Sequence, residues 1–289
     1  MNFKLTSVLL ASCCLLTACV GGLQTAKVSV NIGFRPVIGN DTRVEESVPF
    51  PTDKSFVLWA QEQNSDNLYI DKTTVAYNNG WTVDKPWGDN PLRFSACWPT
   101  DLDYVHSKAD GVQIHEFDLA DGDIDIIVAE TTADNKSNAL VTLNFQHVLS
   151  RVEFRVNHYL TDNMSIRINK IELKNIAKKG SYNTTTKNDW SGLSEYGSHV
   201  VFDHPEGQMI SSQTLNYVGE ELYAIPQLTV GVLEMQCEVR YGSGGWVPQK
   251  YVIDPFEIIW DPGKHYTYSI TFRMDQVVYT AGISSWGNR

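Results

Sequence analysis

Hydrophobic and polar positions alternate along most of the chain. In Lys27–Phe34, Val28, Val30, Ile32 and Phe34 share one face, while Lys27, Ser29, Asn31 and Gly33 share the other. A period of two is that of a half-buried strand. The same reading predicts strands at Phe56–Gln61, Asn67–Ala76, Leu92–Trp98, Ile124–Glu130, Leu140–Phe145, Val152–Asn157, Ile166–Asn175, Gln213–Ile225, Val232–Tyr241, Tyr251–Ile259 and Tyr266–Arg273. Gly, Asn, Asp and Pro separate these runs, as turns require. "YGSGGW" reads as a hairpin turn, because no Lys-Ser/Thr follows it to make a phosphate loop. No long amphipathic helix interrupts the series. Many short strands with turn signals predict an all-β chain built from β-sandwiches. The halves echo each other weakly: "NPLRFSACWP" and "EELYAIPQ" are both alternating strands that run into proline. Two similar sandwiches are expected, meeting near residue 137 in the polar stretch "TTADNKSN".

One apolar segment does not alternate. Leu5 to Leu16 is apolar almost throughout, and Lys4 is the only charge before it. That length suits a secretory leader and is short for a membrane-spanning helix. "LTAC", Leu16 to Cys19, then has the small-residue pattern that precedes a lipid-modified cysteine in bacterial lipoproteins. Residues 1–18 read as the signal peptide and Cys19 as the lipidation site. A diacylated, N-acylated (palmitate-type) cysteine anchors stably, since two or more buried acyl chains suffice where one is marginal.

Cysteine usage fits this reading. The chain has 5 Cys. Cys13 and Cys14 leave with the leader and Cys19 carries lipid, so Cys97 and Cys237 remain. They lie far apart with no C-x-x-C spacing, which argues against zinc. One disulfide or two buried thiols would satisfy the count, and two thiols are favoured because the pair falls in different predicted domains. The net charge is −11. An acidic surface argues against nucleic acid and against charge-driven binding to anionic lipid. The expected membrane contact is the lipid anchor alone.

Candidate chemistry is sparse. His199 and His204 flank one strand-like run and His147 and His158 another, with no helical i, i+4 metal pair. Asp118, Asp121, Asp123 and Asp125 cluster, but Ile126 stands where a calcium loop needs glycine, so an acidic turn is the plainer reading. There is no G-x-S-x-G, no nucleophile–base signature and no G-x-G-x-x-G. No metal or cofactor is expected. Trp81, Trp87, Trp190 and Trp246 lie near turns. Exposed rings there would stack on sugars, although tryptophan more often packs under loops.

Several landmarks together resemble the fimbrillin-like proteins of Bacteroidales, the subunits of type V pili. They are the lipobox Leu16–Cys19, "LRFSACWP" (92–99), "LNFQHVLSRVEFRV" (143–156), "GSYN" followed by "DW" (180–190), "AIPQ" (224–227), "WDPGKHYTYSITF" (260–272) and a terminal Trp286. They run in the family's order over nearly the whole chain. The resemblance implies two transthyretin-like β-sandwich domains in tandem, no enzymatic activity and no cofactor. It implies an outer membrane lipoprotein precursor that becomes a cell-surface fimbrium.

It also implies an assembly route. A trypsin-like processing protease cuts behind the first strand, removing the lipid and the strand together. A strand from another pilus subunit then fills the groove. Here the displaced strand is expected to carry Val28, Val30, Ile32 and Phe34. Arg43 is the expected cleavage site and Arg35 the second choice, because Pro36 is a poor residue behind a scissile bond. The candidate donor strand lies in the tail, with Val277, Tyr279, Ala281 and Ile283 alternating. The segments expected are a propeptide at 19–43, sandwiches at 44–136 and 137–274, and the tail at 275–289. Further partners implied are host or bacterial surface receptors. The alternative is a surface-anchored glycan-binding lipoprotein that never polymerises.

Overall fold

The computed structural model describes residues 30–39, 47–63, 65, 68–107, 111–119, 124–135, 140–184 and 190–286. Its elements among these residues are 21 β-strands in four sheets. The chain is all-β, as its alternation predicts.

The first sheet holds β1 (Asn31–Ile38), β2 (Val48–Pro49), β3 (Ser55–Glu62), β4 (Leu68–Ala76), β5 (Trp81–Pro86), β6 (Leu92–Trp98), β9 (Ile127–Ala133) and β10 (Val141–His147). The order is β2-β1-β10-β9-β6-β3-β4, with β5 also on β1. One face of this sheet buries an aromatic core. Phe34, Phe50, Phe56, Phe94, Phe145 and Trp81 lie in one cluster with Ile32, Leu58 and Leu143. Phe34 meets Phe94 edge-on at 5.7 Å, and Phe50 meets Phe145 at 5.2 Å. The opposite face is buried too: Val57, Trp59, Cys97 and Val128 join the larger core. Burial on both faces explains why "FVLWAQ" in β3 reads as a continuous apolar run.

What covers that second face is a sheet drawn from both halves of the chain. β7 (Tyr104–Ser107) and β8 (Gly111–Asp118) pair with each other, and β13 (Lys179–Asn183) and β14 (Trp190–Ser194) continue the sheet through β8. Tyr182 lies opposite Ile114 in the β8–β13 ladder.

The remaining strands form a sandwich. One sheet has the order β16-β11-β20-β21, from β16 (Asn216–Tyr217), β11 (Ser150–His158), β20 (Lys264–Phe272) and β21 (Val277–Ser285), with β17 (Leu222–Ala224) also on β11. The other has the order β15-β12-β18-β19, from β15 (Gly197–Met209), β12 (Met164–Ile176), β18 (Gln227–Tyr241) and β19 (Val247–Trp260). Phe154, Tyr268 and Ile270 of the first sheet share a core with Ile168, Met235 and Phe256 of the second. The Phe256 and Tyr268 rings lie 4.8 Å apart, and Trp260 Nε1 donates to the Tyr268 hydroxyl at 3.0 Å.

This topology corrects the division expected at residue 137. β10 lies beyond it, yet pairs antiparallel with β9 and parallel with β1, so the first sheet extends to His147. "TTADNKSN" begins inside β9, which runs to Ala133, and its remainder falls in the connection to β10; a link between sheet neighbours and a domain linker share the same polar composition. The chain passes between sheets at Val148–Leu149, which are fully buried. β13 and β14 cross the division again to reach β8.

Candidate functional site

The first strand is the element on which the sequence analysis places most weight. β1 runs parallel to β10, with Phe34 opposite Val141 and Ile38 opposite Phe145. On its other side β5 pairs with its first half and β2 with its second. It is therefore a central strand. Flanking hydrogen bonds continue the pairing: Gly39 N donates to Phe145 O (3.0 Å) and Phe50 N to Pro36 O (3.1 Å). Ile32 is fully buried, Phe34 is 2% exposed and Val37 9%.

The strand is shifted from the expected Val28–Phe34. It begins at Asn31 and runs on through Pro36 to Ile38. Val30, expected to point inward, precedes the strand and is 59% exposed; Val28 lies outside the described residues. Proline usually punctuates strands because it has no N–H to give. Here Pro36 contributes through its carbonyl and is itself buried. Ile32 and Phe34 do fill the core, and Pro36 and Val37, which the reading omitted, are buried as well.

The two candidate cleavage arginines have different settings. Arg35 sits inside β1 opposite Thr142, with its side chain exposed. Arg43 lies outside the described residues, as does Cys19; it falls in the connection between β1 and β2.

The tail forms β21, the edge strand of its own sheet. It pairs antiparallel with β20 over nine residues, from Phe272 opposite Val277 to Lys264 opposite Ser285. Facing residues on an antiparallel ladder share a side. Val277, Tyr279, Ala281 and Ile283 therefore share the core side with Phe272, Ile270, Tyr268 and Tyr266. Val277 and Tyr279 pack against the core, with Tyr279 at 5.2 Å from Phe256. Ala281 and Ile283 do not: both are exposed, Ile283 by 65%. Beyond the strand Trp286 is buried and stacks on His147 (4.1 Å) and Tyr223 (5.4 Å). His147 Nδ1 in turn contacts Asp125 at 2.9 Å.

The other candidates resolve into structural roles. Cys97 and Cys237 are both buried free thiols. Burial, with a smaller push from Glu238, raises the Cys237 thiol to about 12. Trp81 is in the first core. Trp190 donates Nε1 to Val148 O at 2.7 Å and packs on Phe117. Trp87 packs edge-on to Phe94, and the Trp246 ring has the guanidinium groups of Arg167 and Arg240 each 4.6 Å from its centre. Asp121 and Asp123 lie outside the described residues. Among the described residues no group of three or more His, Cys, Asp or Glu side chains is placed to hold a metal.

A family model described as fimbrillin-like matches residues 42–286. In structure the chain is similar to a fimbrial protein from Bacteroides vulgatus ATCC 8482, with a TM-score of 0.63 at 14% identity over 89% of this chain and 99% of that one. It is similar to a candidate cell adhesion protein from Bacteroides ovatus ATCC 8483, with a TM-score of 0.58 at 15% identity over 91% and 100%. A third, a candidate cell adhesion protein from Bacteroides eggerthii DSM 20697, has a TM-score of 0.56 at 11% identity over 89% and 97%. At such identities the likeness is one of fold. No curated relative matches the chain in sequence. The match to the family model takes in the first sheet beyond β1, the sheet shared by both halves and the whole sandwich: the chain belongs to the fimbrillin-like family and is a structural, non-enzymatic protein.

Proposed function

We propose that the chain is a subunit of cell-surface fimbriae, exported as an outer membrane lipoprotein through Cys19 and assembled by proteolysis-triggered strand exchange. The observation that carries this reading is the position of β1. It is a central strand of the first sheet, yet its covalent tie to the rest of the fold is the 39–47 connection that contains Arg43. One cut there frees the strand and the lipid while leaving β2 and all later strands in one chain. A cut after Arg35 would split β1 and leave Pro36–Ile38 behind. The family match starts at residue 42, so the shared body begins behind β1.

Loss of β1 exposes the edges of β10, β5 and β2 and opens the core at Ile32 and Phe34. Such a groove demands a replacement strand. The tail has the right form. It is an edge strand, so its departure leaves β20 still paired with β11. Two of its four alternating side chains, Ala281 and Ile283, gain burial only by moving elsewhere. The partners are other subunits of this kind, a trypsin-like protease and, for an adhesive role, host or bacterial surface receptors.

Arg43→Ala tests the reading. The variant is expected to accumulate as a lipid-bearing precursor with β1 seated and to form no fibres. Normal fibres from this variant, still lacking the lipid, would place the cut elsewhere. Fibres that retain acylated Cys19 would overturn the exchange mechanism and favour the non-polymerising lipoprotein.

A further inference from the structure

The outer face of the sheet β15-β12-β18-β19 carries a walled trough of about 500 Å³. Its floor is Lys170 of β12 and Gln236 and Glu238 of β18. One wall comes from β19 through Pro248, Gln249 and Lys250. The other is an arch in β15. Ile168 lies opposite Gln208 and Lys170 opposite Asp203, so four residues, 204–207, bulge out where β12 advances by one. Gly207 turns the arch with φ +68, a left-handed value that a side chain would strain. Asn169 pins it by donating Nδ2 to Pro205 O at 3.0 Å. The arch is thus held by specific bonds, and the trough has a floor, two walls and an open top.

The lining chemistry selects the ligand class. Its charges are balanced, with Lys170 and Lys250 against Asp203 and Glu238. Most are already engaged: Lys250 with Glu234 at 2.7 Å, Lys170 with Glu172 at 3.6 Å, and Glu238 with Arg167 at 2.6 Å. An anionic ligand therefore finds no net attraction. An apolar ligand finds little beyond two proline rings. What remains accessible is a small set of neutral donors and acceptors, Gln236 and His204, with Pro205 on one wall and Pro248 on the other; Gln249 lies opposite core-facing Cys237 and lends only its backbone. Four strands span roughly 14 Å at about 4.8 Å spacing, wide enough for one or two sugar rings.

We infer that this trough binds a neutral saccharide, its hydroxyl groups meeting the Gln236 amide and the His204 ring and its C–H faces lying against Pro205 and Pro248. The inference is independent of strand exchange, because the trough uses neither β1 nor β21. It would give an assembled subunit a ligand-binding face.

The test is amide-shift NMR on the purified protein, titrated to about 20 mM with methyl glycosides of glucose, galactose, mannose and N-acetylglucosamine, and with lactose. At least one is expected to shift the amides of His204, Gln236 and Lys250, while inorganic phosphate does not. The variant Gln236→Ala alters one exposed side chain, so its melting temperature should hold. Its affinity should fall by about two- to tenfold, the worth of one neutral hydrogen bond. Absence of binding by every sugar overturns the inference, as does binding that Gln236→Ala leaves unchanged. Neither result bears on fibre formation, which Arg43→Ala tests separately.

Discussion

Phe34→Ala in β1 separates a seated strand from a loosely attached leader. Phe34 is 2% exposed and meets Phe94 at 5.7 Å and Phe56 at 6.4 Å, both edge-on. Truncating such a ring costs about 3–5 kcal/mol, from lost transfer energy and the cavity left behind. Ile32, Phe34 and Val37 together contribute roughly 5–9 kcal/mol of gross burial at about 1.5–3 kcal/mol each. Phe34 supplies about a third of that burial, and the cavity left behind adds to its loss. In the uncut protein the variant should lose about 3–5 kcal/mol in a denaturant unfolding series. After cleavage in the 39–47 connection, β1 is held only by noncovalent contacts. The same loss should then speed its release by about two to three orders of magnitude, since each 1.4 kcal/mol is about tenfold. Mass spectrometry of the clipped protein after gel filtration, sampled over time, reads the retained strand directly. A change below about 1 kcal/mol, with unaltered release, would refute the placement of β1 in the core.

Two further outcomes follow from the same geometry. Ile283→Asp should leave the melting of the monomer within about 0.5 kcal/mol, as exposed substitutions usually do, yet block extension, because an unpaired carboxylate in a neighbour's groove costs several kcal/mol; normal fibre growth would remove the tail as donor. Deleting 277–286 should keep one cooperative melting transition at lower temperature, since an edge strand and the stacked Trp286 are lost while β11 and β20 stay paired, and loss of the transition would make β21 an indispensable part of its own domain. Acid should destabilise the fold in two stages. Burial lowers His106, His158, His199 and His265 from 6.5, so the unfolded chain takes up protons first and stability falls as pH drops below about 6.5. Glu234, held down by Lys174 and Lys250, and Glu153, where burial is outweighed by Thr267, His265 and Arg155, add a steeper loss below about 4.5. Melting temperatures measured from pH 8 to pH 4 check this, and a rise on acidification would contradict it.

Strands marked by clear alternation or by a continuous apolar run were legible in the sequence. β6 occupies Leu92–Trp98 as read, and β3, β4 and β20 differ only at their ends. The sheet that joins the two halves was not legible, because its strands break their own period. In β8 the buried set is Val112, Ile114 and Phe117, with Glu116 at φ +49 shifting the alternation between the last two. β15 buries only Val201 and spends its second half on the arch. The run Gln213–Ile225 alternates on paper, but a turn at Gly219, φ +79, splits it into β16 and β17. The importance of β1 was visible in Ile32 and Phe34; its full length was hidden by Pro36, whose pairing partner lies more than a hundred residues away at Leu143. The trough was invisible because no single run contains it: its lining comes from four strands, and its wall depends on a mismatch between two of them.

The most direct test of the central claim is the N-terminal sequence of this subunit taken from sheared, washed surface fibres. The account predicts a start at Val44, with β1 and the lipidated Cys19 both gone. An acylated Cys19 followed by an intact Asn31–Ile38 in assembled fibres would contradict it.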